Sequence, residues 1–175
     1  VFRPADINET FECWELALKN ENTPSAIALS RQKVPYINPK NSKENKCEKG
    51  AYVVNLTSHE SNVTLVASGT EVELALKVQD KLKENNIHSK VVSMPCMELF
   101  DKQPEDYRKD ILEENSLIIT LEAGSVMSWQ KYIKNKGANL GINKFGESAP
   151  YKEVYKHFKL SEEDITNFIQ KKLRE

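Results

Sequence analysis

No apolar run in this 175-residue chain approaches the roughly 20 residues that a membrane-spanning helix needs. No basic start, apolar stretch and small-residue cleavage site mark a signal peptide. Charge of one sign is missing too. There are 25 Lys and Arg against 26 Asp and Glu, a formal net charge of −1. That balance sets up no general field toward nucleic acid or anionic lipid, so neither is an expected partner. Cysteine is scarce and odd in number. Cys13, Cys47 and Cys96 are widely spaced, which points to a reducing compartment, with the cytoplasm as the expected location, rather than to a disulfide framework. No zinc-ligand spacing occurs. Glycine is sparse as well: G-x-G-x-x-G and the P-loop lysine are absent. His59, His88 and His157 are scattered, so no His–carboxylate pair can be argued from spacing. The opening "VFRPADINETFECWELALK" lacks an initiator Met and reads as the middle of a domain, so a fragment is expected.

What is present is a soluble α/β pattern. Asp6 and Glu9 have capping-box spacing, and Ile7, Phe11, Trp14 and Leu18 then follow one helical face. Ser25 to Ser30 read as a strand bound for a core. "YINPKNSKENKCEKG" (36–50), rich in Lys and Asn, reads as an exposed linker without the aromatic interleaving of a nucleic-acid site. A second unit begins near Ala51 with the strand "AYVVNL". "NVTLVAS" (62–68) shows no polar alternation, the mark of a strand covered on both faces. Gly69 breaks it, and Thr70 with Glu73 is spaced as a second capping box. The following helix should pack through Val72, Ala75, Leu76 and Leu82. "KVVSM" (90–94) should pair in parallel with the buried strand across that short crossover. Helices are expected over 104–112, 125–135 and 150–158, with strands at 116–122 and near 140–142. The last helix should start at Ser161, with Leu160 and Ile165 as a hydrophobic staple and Ile165, Phe168, Ile169 and Leu173 facing the core. The expected fold is a three-layer α/β/α domain on a mostly parallel sheet.

Three turns invite a functional reading. "VASGTEVELAL" has a strand–Gly–helix layout, but Glu71 and Glu73 satisfy the helix dipole and would repel a phosphate, which favours a capped structural turn. In "LEAGSVMSW", Glu122 closes a strand, where open α/β sheets place ligands. It can touch a ligand or a neighbouring subunit, or cap a nearby helix or loop. "FGESAP" (145–150) reads as a Gly/Pro turn into a helix.

Arg31, at the end of "PSAIALSRQ", is the candidate site residue. A guanidinium forms a planar fork suited to phosphate oxygens, and Ser30 and Gln32 add neutral hydrogen-bonding groups. A surface arginine or a structural ion pair remains open on residues alone.

"RPADINE", "TPSAIALSRQ", "GAYVV", "ASGTEVELAL", "KVVSMPCMELFDKQPEDYR", "LEAGSVMSWQKY" and "FGESAPYKEV" follow one another in this order. Together, from Arg3 to about Phe158, they resemble the C-terminal third of transketolases. The resemblance implies that residues 1–38 are the end of the pyrimidine-binding domain, 39–50 a linker and 51–175 the C-terminal domain. That domain would be built on a mixed five-stranded sheet with one antiparallel strand. It implies a homodimeric enzyme of the pentose phosphate pathway that moves a two-carbon ketol unit between ketose and aldose phosphates, using thiamine diphosphate and Mg²⁺. By position, Arg31 matches the arginine that contacts the sugar phosphate. The G-D-G…N motif for diphosphate and Mg²⁺, the activating glutamate and the substrate histidines of the family have no counterpart here. No catalytic, cofactor-binding or metal residue is therefore expected in this chain, which alone should be inactive, with a structural or dimer-supporting role. The competing readings are a subunit of a split transketolase, or a stand-alone interaction or regulatory small-molecule module.

Overall fold

Three strands carry the centre of the sheet, and each is buried along its whole length: β2 (Val63–Ala67), β3 (Ser89–Ser93) and β4 (Leu117–Leu121). The computed structural model describes residues 1–37, 44–58, 60–113, 115–133 and 137–175. β1 (Tyr52–Leu56) and β5 (Ala138–Leu140) are the half-covered edges. The strand order is β1-β3-β2-β4-β5; β1 is antiparallel to β3, and every other pairing is parallel. This is the expected three-layer α/β fold with a mixed five-stranded sheet. The first crossover from β2 runs to β3 on one side and the next lands on β4 on the other. The topological switch point therefore lies between the carboxyl ends of β2 and β4.

The two faces have separate cores. On one, α2 (Glu71–Glu84) and α6 (Glu162–Lys172) bury Val72, Ala75, Val78, Leu82, Ile165 and Ile169 over Leu65, Val91 and Ile119. On the other, α3 (Met97–Asp101), α4 (Glu105–Leu112) and a 3₁₀ helix (Met127–Tyr132) bring Phe100, Ile111, Trp129 and Tyr132 onto Val66, Val92 and Ile118. Each such large side chain fully buried stabilises the fold by about 1.5–3 kcal/mol. α5 (Tyr151–His157) lies outside both cores.

Local expectations hold at some positions and fail at others. Ser161 caps α6 by accepting from the amide of Asp164 at 3.2 Å, and Leu160 and Ile165 are both buried. Leu173, expected in the core, is 40% exposed, because α6 has ended at Lys172. Thr70 does not cap α2; its hydroxyl turns to Glu71 Oε1 at 2.7 Å instead. The helix expected over 125–135 is a 3₁₀ helix of six residues, tight enough to aim both Trp129 and Tyr132 inward.

The N-terminal segment departs most. α1 (Ile7–Lys19) is capped as read, with Asp6 Oδ1 accepting from the amide of Glu9 at 2.9 Å. Its predicted apolar face, however, is open: Ile7, Phe11, Trp14 and Leu18 are 50–74% exposed. The face that docks carries Glu9 and Cys13. Glu9 accepts from the Ala5 amide at 2.6 Å, the Tyr52 hydroxyl at 2.7 Å and the Ser93 hydroxyl at 2.5 Å. Burial pushes its carboxyl above the usual range, against the pull of these donors.

Residues 25–30 are extended but form no core strand. Their one ladder contact is a parallel bridge from Ile27 to Phe2, and Leu29 is 60% exposed. A strand buried on both faces needs neighbours on both sides, and the described residues supply one bridge.

The stretch read as an exposed linker is buried in part. Residues 46–49 form a 3₁₀ helix, and Cys47 is fully buried there. Residues 38–43 of that stretch lie outside the described residues. Gly50 closes the helix at φ +78°, where a Cβ would stand 2.2 Å from the amide nitrogen of Phe100, so only glycine fits. The three cysteines, distant in sequence, share one small core with Phe2. A hydrogen bond with Cys13, and then burial, push the Cys47 thiol far above its ordinary range, so it stays neutral.

Candidate functional site

Arg31 stands at the end of the extended segment, where Ser30 Oγ accepts from the Gln32 amide at 2.9 Å and turns the chain. The guanidinium is exposed and takes no partner among the described residues. Its neighbours Ser30, Gln32 and Lys33, though not Arg31 itself, line a groove of about 520 Å³ together with Lys77, Lys152 and Tyr155. Among the described residues no carboxylate forms an ion pair with Arg31.

The second place where ligands are expected is the crevice at the carboxyl ends of β2 and β4. It is occupied by the chain itself. Arg3 donates from Nη2 to Glu122 Oε1 at 2.7 Å and from Nη1 to Glu122 Oε2, a bidentate fork. Nη2 also lies 3.8 Å from Glu71 Oε2. Trp129 Nε1 donates to Glu122 Oε2 at 3.0 Å, and the Tyr155 hydroxyl donates to Glu71 Oε1 at 2.5 Å. Both carboxylates are almost wholly buried, whereas Arg3 keeps 37% of its side chain exposed. Burial opposes the charge on Arg3, but the hydrogen bonds and charge of Glu122, with the charge of Glu71, outweigh it and raise its pKa. Burial, followed by the charge of Glu71, drives the Tyr155 phenol up as well, so it stays a donor. Gly141 allows this close packing: a Cβ there would meet Val126 at 2.4 Å and the backbone oxygen of Glu122 at 2.8 Å.

The remaining candidates stay apart. His88 and His157 are exposed on different elements, and His59 lies outside the described residues. "FGESAP" is an exposed turn with Phe145 96% exposed and Pro150 as the N-cap of α5. The described residues do not fit a thiamine diphosphate–Mg²⁺ site. No group of three or more His, Cys, Asp or Glu among the described residues could hold a metal ion. The two carboxylates at the switch point would repel a diphosphate.

Comparison with known proteins decides the family. The family model described as the transketolase-like TK C-terminal domain matches residues 50–161. A curated transketolase of Rhodobacter capsulatus is 42% identical over 170 residues, covering 94% of this chain and 25% of the relative. The chain belongs to the transketolase family. A solved transketolase of Pichia stipitis, described as a complex with sedoheptulose 7-phosphate, superposes with a TM-score of 0.89 at 32% identity, over 99% of this chain and 25% of that one. A protein described as a split-gene transketolase, inactive beta4 tetramer, aligns with a TM-score of 0.75 over 99% of this chain and 56% of that one; at 23% identity the likeness concerns the fold alone. The chain thus spans about a quarter of the length of the curated transketolases it matches.

Sequence reasoning singled out Glu122 and Glu71 but missed what joins them. Arg3 lies 119 residues from Glu122, and no local pattern reports a pairing at that distance. The "RPAD" that opens the family resemblance was the available signal.

Proposed function

We propose that this chain is the C-terminal part of a transketolase that transfers a two-carbon ketol unit between ketose and aldose phosphates in the pentose phosphate pathway. Residues 1–38 end the pyrimidine-binding domain, 39–50 link, and 51–175 form the C-terminal domain. The single observation that carries this reading is the half-built N-terminal unit. α1 and the 25–30 segment leave Ile7, Phe11, Trp14, Leu18 and Leu29 exposed, while the sheet from β1 onward has a buried core on each face. The missing half would come from earlier parts of a longer polypeptide, together with thiamine diphosphate, Mg²⁺ and the catalytic groups. The chain alone is inactive on this reading and supports the fold or a homodimer. The working enzyme is cytoplasmic, without nucleic-acid or membrane partners; among the described residues no helix is long and apolar enough to cross a membrane.

Arg31 is the substrate-phosphate contact in this reading. The exposed fork, without an ion-pair partner among the described residues, supports it, as does the sugar-phosphate complex of the Pichia stipitis relative. A remote phosphate contact supplies binding energy that orients the reacting end. Losing one charge-assisted hydrogen bond costs about 1.5–3 kcal/mol, or about 10- to 150-fold. Arg31→Ala in the longer enzyme should therefore raise KM for phosphorylated sugars by that factor and leave unphosphorylated ketoses nearly unchanged. Equal effects on both would remove Arg31 from the substrate site.

A second reading, a subunit of a split transketolase, is favoured by the split-gene relative with the same fold. It differs only in whether the missing half comes from the same chain.

A further inference from the structure

We propose that the crevice between the carboxyl ends of β2 and β4 is a guanidinium-binding site, and that Arg3 is its tethered occupant. Open α/β sheets bind ligands at such a switch point because the strand ends diverge there and leave polar groups converging on one cleft. Here the converging groups are two buried carboxylates, so the cleft selects a cation. Its geometry selects the kind. Glu122 presents both oxygens in one plane to two parallel N–H donors, an arrangement that a point-like ammonium cannot satisfy. The Trp129 indole N–H, donating to Oε2 at 3.0 Å, fixes the carboxylate plane. Glu71 supplies a second negative charge 3.8 Å from Nη2, and Tyr155 and Thr70 donate to it and hold it in place. Trp129 is fully buried and both carboxylates nearly so, so the receptor is built into the core and is not assembled by surface side chains.

The backbone of the occupant is held at the same edge. The Arg3 amide donates to Pro95 O at 2.8 Å, beyond β3, and Gly69 N donates to Arg3 O at 2.9 Å, beyond β2. On either side of Arg3, Phe2 bridges to Ile27 and Pro4 leads toward α1. Filling the crevice therefore latches the N-terminal segment to the C-terminal domain. A free arginine-like molecule would compete with Arg3, but against a tethered rival whose effective concentration is on the order of millimolar or above.

The test uses the full chain in a Trp14→Phe background, which leaves Trp129 as the sole tryptophan. Arg3→Ala empties the crevice, and N-ethylguanidinium is added up to about 0.1 M, far below the molar range in which guanidinium unfolds proteins. The expected result is a saturable shift of the Trp129 indole N–H resonance and a rise in Tm of about 3–6 °C at ten times the Kd. The chain that keeps Arg3 should show neither in that range. Ethylammonium and Mg²⁺ at equal ionic strength should give no saturable response in either chain. A Tm that only falls, an indole signal that does not saturate, or an equal response to ethylammonium or Mg²⁺ would overturn the proposal. Should Arg3→Ala not fold, the unmutated chain gives an independent reading. The Nη protons of Arg3 should show restricted rotation and slow exchange, in contrast to exposed Arg31. Averaged Nη signals like those of Arg31 would equally refute a clamped occupant.

Discussion

Trp129 and Trp14 show how differently the two parts of the molecule are finished. Trp129 is fully buried, lies edge-on to Tyr132 at 6.1 Å and donates to Glu122. Trp14 sits on α1 half exposed, in line with Ile7, Phe11 and Leu18, all open. Both belong to apolar patterns of helical spacing. Periodicity reports which side chains share a face, but it does not say whether the chain also contains what covers that face. From β1 onward the cover is present on both sides of the sheet. Before it, the docking is done by the buried Glu9 carboxylate, the Arg3 fork and the small core that Phe2 shares with the three cysteines.

That contrast predicts a graded series. The largest effect falls on the finished side: Trp129→Ala should destabilise the chain by about 3–5 kcal/mol in denaturant unfolding, because it removes a fully packed aromatic ring and takes from Glu122 the indole donor that stands beside the Arg3 fork. A loss below 1 kcal/mol would mean that this core is not closed.

The next effect lies on the joint between the parts. Glu9 has its carboxyl pKa raised in the fold from the ordinary 4.5, with burial as the first cause. The folded chain then keeps a proton that the unfolded chain has released. This contribution is full below about pH 4.5 and is lost as pH rises toward the folded value. Glu9→Gln, neutral at every pH, should flatten the fall of Tm above pH 4.5; parallel Tm profiles for the two chains would contradict the assignment.

The smallest effect is expected on the unfinished side. Trp14→Ala in this chain should change stability by less than about 0.5 kcal/mol, since the side chain is half exposed and belongs to none of the buried cores. The same change in the longer polypeptide should cost several times more, and an equal cost in both would show that α1 stays uncovered there.

How much was legible follows the same division. The apolar runs of β2 and β4, the parallel pairing across α2 and the Ser161 cap were readable from the residues, because each is set by local spacing or by turn chemistry; the antiparallel strand was implied only by the family resemblance. Thr70 failed as a cap because the neighbouring Glu71 carboxylate took its hydroxyl. Residues 127–132 read as helical, but spacing does not separate a 3₁₀ turn from an α-helix over six residues. The 25–30 segment read as buried because its composition suits a covered strand, whereas the described residues give it one bridge, from Ile27 to Phe2. For the sites, Arg31 was read as a strand-end cation; it stands exposed at the end of a segment that forms a single bridge and no strand. The Arg3–Glu122 pair was not, since only the closed fold brings residues 119 apart into contact.

The central claim is that the N-terminal unit is completed by chain that precedes it in one polypeptide. The most direct measurement is the size of the native polypeptide in its source cell, by immunoblot against the C-terminal domain. The account predicts a band several times larger than the 20.0 kDa of this chain, because its curated relatives are about four times as long. A band at about 20 kDa would contradict it, and the cover for Ile7, Phe11, Trp14 and Leu18 would then have to come from a separate subunit.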